Sequence, residues 1–372
     1  MGEAMNNLLD KITIEGFKSI KKQTVFLKPI TVIIGANGAG KSNFISFFKM
    51  LNAMMSCGLQ AFVGKEGTAQ SLLYYGVKKT SQLSVSLYTD NDTQKEEYRF
   101  SLTKAADDTL IFSEEAMIID GQKCDAAGGY KESKILPESE KALPDNRILK
   151  KILASCRFFQ FHDTSVTANM RNGAYVENNK YMMSDAGNLA AYLYMIKNKS
   201  EEYRKYYNRI IEKIRYILPQ FDDFILEPQE LNPAYISLNW CEKETPEYLF
   251  GPHQLSDGAL RFMALTTLLL QPPDKLPKII VIDEPELGLH PQGIDLLGNM
   301  ILTAGENAQI IVATQSPRLL DNFAVENIIV AERDKKEKGS VFRQLNEEEL
   351  AAWLDEYSLS QLWDKNLLGG QP

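Results

Sequence analysis

The sequence predicts an α/β fold: a core of buried strands and helices that carries an antiparallel β lobe and an inserted helical lobe. Three observations predict it. The β-branched runs at 30–34 and 279–282 have the length and uniform apolarity of strands buried on both faces. Between them, SQLSVSLYTD, EEYRFSLTK and TLIFSEEAMIID alternate apolar and polar residues, as antiparallel strands with one wet face do. Residues 186–217 then turn helical, ending in a helix rich in tyrosine and basic residues.

In chain order, Lys11–Glu15 reads as a strand, Gly16–Ser19 as a turn and Thr24–Leu27 as a second strand, before the run at 30–34. Residues 43–56 read as a helix with phenylalanines and Leu51 on one repeating face. Residues 120–146, with Gly128, Gly129, Pro137 and Pro144, read as a loop region. From 250 the α/β pattern returns: a helix at 258–270, a strand at 278–283, a helix near 292–304 and strands at 309–313 and 327–331. The last forty residues are acidic and expected to be helical. The expected parts are therefore 1–59, the N-terminal half of the core; 60–146, the β lobe and loop; 147–249, the helical insertion; 250–332, the C-terminal half of the core; and 333–372, the acidic helical segment.

At 372 residues, 44% hydrophobic and 24% charged, the chain has the composition of a soluble globular protein. A net charge of −8 gives no global basic footprint for nucleic acid. No apolar run has the length of a membrane span, and the N-terminus is not a signal peptide. Met1-Gly2 is followed by Asn6 where myristoylation needs Ser or Thr, so neither membrane nor lipid anchor is expected. The four scattered cysteines form no C-x-x-C pair and suit a reduced cytoplasm.

The strand at 30–34 runs into Gly35-Ala36-Asn37-Gly38-Ala39-Gly40-Lys41-Ser42, then into the helix that begins near Asn43. Strand, G-x-x-x-x-G-K-S loop and helix are the context a P-loop requires. Glycines let the backbone turn its N–H groups inward around phosphates, and the helix N-terminus favours the anion. Asn37, Gly38, Gly40, Lys41, Ser42 and Asn43 are thus the candidate ATP contacts. Lys41 has the reach for the β- and γ-phosphates, and the Ser42 hydroxyl is a ligand for Mg2+. Further along, Lys278–Ile282 is an apolar strand that ends in Asp283 and Glu284. With a P-loop upstream, Asp283 suits Mg2+ through water, and Glu284 suits polarising the attacking water. A parallel core strand that merely ends in acids is the plainer reading.

The residues that follow make the comparison specific. DEPELGLHP, at 283–291, resembles the Walker B and D-loop region of the ABC-type ATPases of the RecF, SMC and OLD group. Leu255-Ser256-Asp257-Gly258-Ala259-Leu260-Arg261 resembles their signature, usually written LSGGQ. Ile310–Pro317 resembles their last core strand and switch loop, and the opening at 12–43 resembles the start of RecF- and SMC-type heads. The resemblance implies a P-loop NTPase with an ABC-type head, ATP and Mg2+ as ligands, and a homodimer or higher homo-oligomer that holds ATP between two head-to-tail chains. Ser256 and Gly258 would then face the γ-phosphate bound to the partner chain. A serine N-cap before an apolar helix is equally true of Ser256.

Two positions depart from the family pattern. The switch position commonly holds His and here holds Gln315, which hydrogen-bonds but carries no proton at neutral pH, so slow hydrolysis is expected. The family's Q-loop glutamine, a further Mg2+ ligand, is either Gln160 or not evident; Phe159 and Phe161 around it read equally as core. There are no long heptad arms, no C-x-x-C hook and too few residues after the switch loop for the Toprim nuclease lobe of OLD proteins. The resemblance therefore implies a stand-alone ATPase head controlling a partner effector encoded nearby, a nuclease in a bacterial antiphage module. Two other readings stay open. One is a RecF-like DNA-repair ATPase, with Arg204, Lys205, Arg209, Lys213 and Arg215 among tyrosines as DNA contacts or simply a solvated face. The other is a nucleotide-gated scaffold with little turnover.

Overall fold

The computed structural model describes residues 8–91, 94–126, 128–135 and 147–371. The chain divides into two compact units. The first comprises Met1–Phe158, Pro277–Asp283 and Ala308–Pro372; the second comprises Phe159–Leu276 and Glu284–Asn307.

The first unit holds two six-stranded sheets. One is antiparallel, with β1 (Lys11–Phe17), β2 (Ile20–Phe26), β4 (Gln82–Asp90), β5 (Lys95–Lys104), β6 (Leu110–Ile119) and β7 (Gln122–Ala126) in the order β2-β1-β4-β5-β6-β7. The expected β lobe is therefore continuous with the N-terminal hairpin. The other sheet has the order β17-β16-β3-β15-β14-β8, from β3 (Ile30–Ile34), β8 (Cys156–Phe159), β14 (Ile279–Asp283), β15 (Gln309–Thr314), β16 (Ile328–Arg333) and β17 (Ser340–Gln344). Its central strands β16, β3, β15 and β14 run parallel, and every residue of β3, β14 and β15 is buried, as their apolar runs require. The register aligns Ile34 with Thr314 and Ala313 with Asp283, so the P-loop, the acids and Gln315 leave the sheet at one edge. That is the edge where open parallel sheets bind ligands.

Helix α1 (Lys41–Met55) fills the core with Phe44, Phe47 and Phe48, all fully buried, in edge-to-face contacts at 5.5 and 5.7 Å. The same core takes Ile33, Val281 and Ile311 from the parallel sheet and Ile12, Val85 and Phe100 from the antiparallel one.

The structure differs from expectation at three places in this unit. Residues after α1 form α2 (Leu59–Lys65) and α3 (Thr68–Leu72), because Leu59/Val63 and Ala69/Leu72 bury one face at helical spacing. Within 120–146, β7 pairs back on β6 through Asp120-Gly121, both at positive φ, the D-G hairpin signal; Pro137 and Pro144 lie outside the described residues. The acidic C-terminal stretch opens with β17, since Phe342 packs 5.1 Å from Phe44, before α10 (Glu347–Leu354) and α11 (Leu359–Asp364). The unit is completed by α4 (Ile148–Ala154) and the short α9 (Pro317–Leu320).

The second unit is built on α5 (Leu189–Asn198), α6 (Glu201–Ile217), α7 (Asp257–Leu270) and α8 (Pro291–Gly305). It adds two small sheets: β10 (Phe221–Ile225) with β13 (Asn239–Glu242), and β9 (Ala174–Tyr175) with β11 (Pro228–Gln229) and β12 (Asn232–Ile236). The stretch expected as a helical insertion thus mixes helices with strands. Helix α6, capped by Ser200, buries Tyr203, Tyr207, Ile210, Ile211 and Ile214 along one face. The Tyr207 hydroxyl donates to Asp223 at 2.6 Å and Tyr203 bonds Asp274. Those tyrosines are core anchors and offer no faces for stacking bases, while Arg204, Lys205 and Arg209 lie on the exposed face. No described helix is long and apolar enough to cross a membrane.

Candidate nucleotide site

Strand β3 ends at Ile34 and the chain turns through the P-loop. Gly38 and Gly40 have φ of 78° and 114°, in the left-handed region that side chains avoid. Gly40 is the N-cap of α1 with no side-chain cap, and no acid stands in the first turn. The first-turn N–H groups of a helix have no helical partner, so this end is shaped for an anion. Lys41 is 4% exposed. Its Nζ folds back to the carbonyls of Gly35 at 2.6 Å and Ala36 at 3.2 Å, inside the loop. The two glycines differ in what surrounds them. A Cβ on Gly40 would run into the Ser340 side chain, 2.6 Å from its Cβ, whereas a Cβ on Gly38 meets nothing within 4 Å. Gly38→Ala should therefore cost only its strained φ, about 1–2 kcal/mol, and Gly40→Ala distinctly more; thermal melts of the two variants check the order.

Asn43 has a partner within the chain itself. Its amide donates to Ser19 Oγ at 2.7 Å, and Ser19 Oγ lies 2.6 Å from Ser340 Oγ. Asn43 thus braces the loop helix against the β1–β2 corner and β17. Sequence reasoning missed this serine pair because its members are 321 positions apart. It also missed the Ala36 N–H donating to the Gly370 carbonyl at 3.0 Å, which ties the C-terminal stretch to the P-loop.

Asp283, 7% exposed, ends β14, which is separated from the P-loop strand β3 by β15, and Gln315, half-buried, follows β15. The Thr314 hydroxyl accepts from the Ser316 N–H at 2.9 Å and turns the chain there. Burial pulls the Lys49 ammonium on α1 below its ordinary value, and the Asp283 charge pushes it back up. Among the described residues no group of three or more His, Cys, Asp or Glu gathers to hold a metal. One hydroxyl, Ser42, and one carboxylate, Asp283, instead fit a hard cation that takes its other ligands from phosphates and water, as Mg2+ does. Glu284, next in the chain, is held at φ 45°, a left-handed conformation costing about 1–2 kcal/mol for a residue with a Cβ.

In the second unit Ser256 is exposed and caps α7, its Oγ accepting from the Ala259 N–H at 3.2 Å. Gly258 is required by close approach: a Cβ there would strike the Gly288 carbonyl. The Arg261 guanidinium joins three of the sequence motifs. Nε donates to the Phe161 carbonyl at 2.9 Å, Nη2 to the His162 carbonyl at 2.8 Å, and Nη1 to the Leu287 carbonyl at 3.2 Å. Gln160 lies 3.0 Å from His162 Nδ1 through its Nε2, and Phe159 and Phe161 are buried. Arg261 stood inside the signature-like stretch, yet its role depends on three loops that only the fold brings together.

Comparison with known proteins gives three findings. The family described as "AAA domain, putative AbiEii toxin, Type IV TA system" matches residues 30–321. The chain is 22% identical to the Old nuclease of Escherichia phage P2 over 385 residues, 92% of this chain and 62% of that protein. It is 33% identical to the energy-coupling factor transporter ATP-binding protein EcfA2 of Staphylococcus aureus over 102 residues, 27% of this chain and 32% of that protein. The chain thus spans less than two thirds of either relative. Among solved structures, an Smc head bound to the C-winged helix domain of ScpA has a TM-score of 0.59 at 17% identity, covering 92% of this chain and 99% of that one. An Smc head with an extended coiled coil, bound to the C-terminal domain of ScpA derived from Pyrococcus furiosus, has a TM-score of 0.57 at 16% identity, covering 94% and 98%. These likenesses show the fold: a P-loop NTPase α/β head with an antiparallel sheet.

Proposed function

This chain belongs to the AAA-domain family that matches residues 30–321, as an ATPase of the SMC- and OLD-like type, and on that premise we propose that it binds ATP with Mg2+, hydrolyses it slowly and pairs head to tail with a second copy. Its nucleotide state would then control a nuclease-like effector encoded nearby, in defence of a bacterial cytoplasm against phage. The observation that carries the ATPase reading is the convergence of the P-loop, Asp283 and Gln315 at one edge of a parallel sheet. The likeness to a phage Old nuclease along 92% of the chain supports the direction of the effector reading.

With nucleotide bound, the Lys41 ammonium would exchange the Gly35 and Ala36 carbonyls for the β- and γ-phosphates. Ser42 and Asp283 would hold Mg2+, which neutralises charge on the β- and γ-phosphate oxygens when bound. Glu284 would accept a hydrogen bond from the attacking water, and its strained backbone fixes where that carboxylate points. Gln315 would hydrogen-bond the phosphate or water without moving a proton, which limits turnover. The same residue favours the nucleotide-gated scaffold as a second reading.

Glu284→Gln keeps the shape and removes the carboxylate. It should bind ATP like the wild type and hydrolyse it about 10²–10³-fold more slowly. Calorimetry and steady-state phosphate release measure both quantities. Unchanged turnover would assign the water to another residue, and a wild type with ATP-dependent association but no turnover would establish the scaffold.

A further inference from the structure

We propose that Arg171 is a positioning residue: it neutralises Asp257 at the start of α7, so that this helix start can receive a γ-phosphate held by a second copy. The inference rests on the head-to-tail reading above. Arg171 closes the short turn Asn169–Arg171, and its side chain is 7% exposed. Its guanidinium is spread over one loop and the signature-like turn. Nε donates to the Thr164 carbonyl at 2.8 Å, Nη1 to the Pro252 and Leu255 carbonyls at 2.6 and 3.0 Å, and Nη2 to Asp257 Oδ1 at 2.8 Å. Asp257 is the first residue of α7 and is 64% exposed.

The charge at that position poses a conflict. A carboxylate in the first turn suits the helix dipole of the lone chain. It also stands where the signature is usually written with glycine, at the end that must accept a phosphate, and like charges repel there. A buried cation needs an anionic partner, and Arg171 supplies the complementary charge from beneath while leaving the outer face of the turn open. Arginine suits this task because its planar fork serves three carbonyls and a carboxylate at once. Lysine could keep the charge but not the fan of bonds.

The test is association driven by a non-hydrolysable ATP analogue, followed by analytical ultracentrifugation, with Ser256→Arg as control. Arg171→Gln should bind the analogue like the wild type and associate about tenfold more weakly or worse. Adding Asp257→Asn to it should restore association to within about twofold, because no carboxylate is then left to neutralise. Wild-type association of Arg171→Gln overturns the inference. So does a double variant as weak as the single one, since Arg171 would then only prop three carbonyls. If Arg171→Gln loses its cooperative melt, Arg171→Lys decides: retained association supports charge neutralisation, and loss overturns it. If Ser256→Arg also associates normally, the head-to-tail reading has failed and this inference falls with it. If Ser256→Arg is blocked while Arg171→Gln is not, this inference alone falls.

Discussion

Lys41→Ala should abolish ATP binding while leaving the fold intact. The side chain is 4% exposed, and its ammonium sits inside the P-loop on two backbone carbonyls. It is therefore already desolvated and held within the loop that would receive the phosphate. Charge-assisted hydrogen bonds of this kind are worth about 1.5–3 kcal/mol each. Losing one to each of the β- and γ-phosphates removes about 3–6 kcal/mol, a fall in affinity of about 10²–10⁴-fold. The fold should suffer little, because the substitution leaves the apolar core around α1 untouched. Helix α1 keeps its phenylalanine core, and Gly40 still starts it. Nucleotide titration by calorimetry should show no heat, and ATP should no longer raise the melting temperature. Wild-type affinity in this variant would remove the P-loop assignment and everything built on it.

The parts of the site that were legible in the sequence are those whose chemistry is local. The P-loop needs its glycines, lysine and serine at fixed spacing, and the strands at 30–34 and 279–283 declare themselves by length and β-branching. The register of β14, β15 and β3 then brings the ends of these strands to one sheet edge. What stayed illegible depends on contacts across long sequence separations. Ser19 and Ser340 meet only because β17 closes the sheet beside the β1–β2 corner. Arg171 carries no motif, and its four acceptors come from residues 164, 252, 255 and 257. Other misses were available locally. Asp120-Gly121 is a local hairpin signal inside the stretch 120–146 expected as a loop. Tyr203 and Tyr207 of α6 recur at i, i+4, the spacing of a buried face, which the expectation of DNA contacts or a solvated face did not include.

Ser256→Arg should retain ATP binding and lose both ATP-driven dimerisation and hydrolysis. The argument starts from exposure: Ser256 lies on the surface at the start of α7, and its Oγ spends an acceptor on the Ala259 N–H. Replacing the cap costs about 1 kcal/mol, which lowers the melting temperature modestly without unfolding α7, whose remaining residues are almost all buried. The arginine adds bulk and a cation at the positive end of a helix, where a phosphate from a second chain is expected to dock. The P-loop residues themselves are unchanged in this variant, so nucleotide affinity should be unchanged by calorimetry. Mixing this variant with Lys41→Ala sharpens the test. In a head-to-tail pair, one shared site joins the intact signature of the Lys41→Ala chain to the intact P-loop of the Ser256→Arg chain, while the other site carries both lesions. Some ATPase activity should return on mixing two variants that are each inactive alone, if one complete site suffices for turnover. Restored activity would require that the two motifs act from different chains. A Ser256→Arg chain that hydrolyses ATP at the wild-type rate as a monomer would instead reduce residues 255–261 to a capped helix with no part in the chemistry.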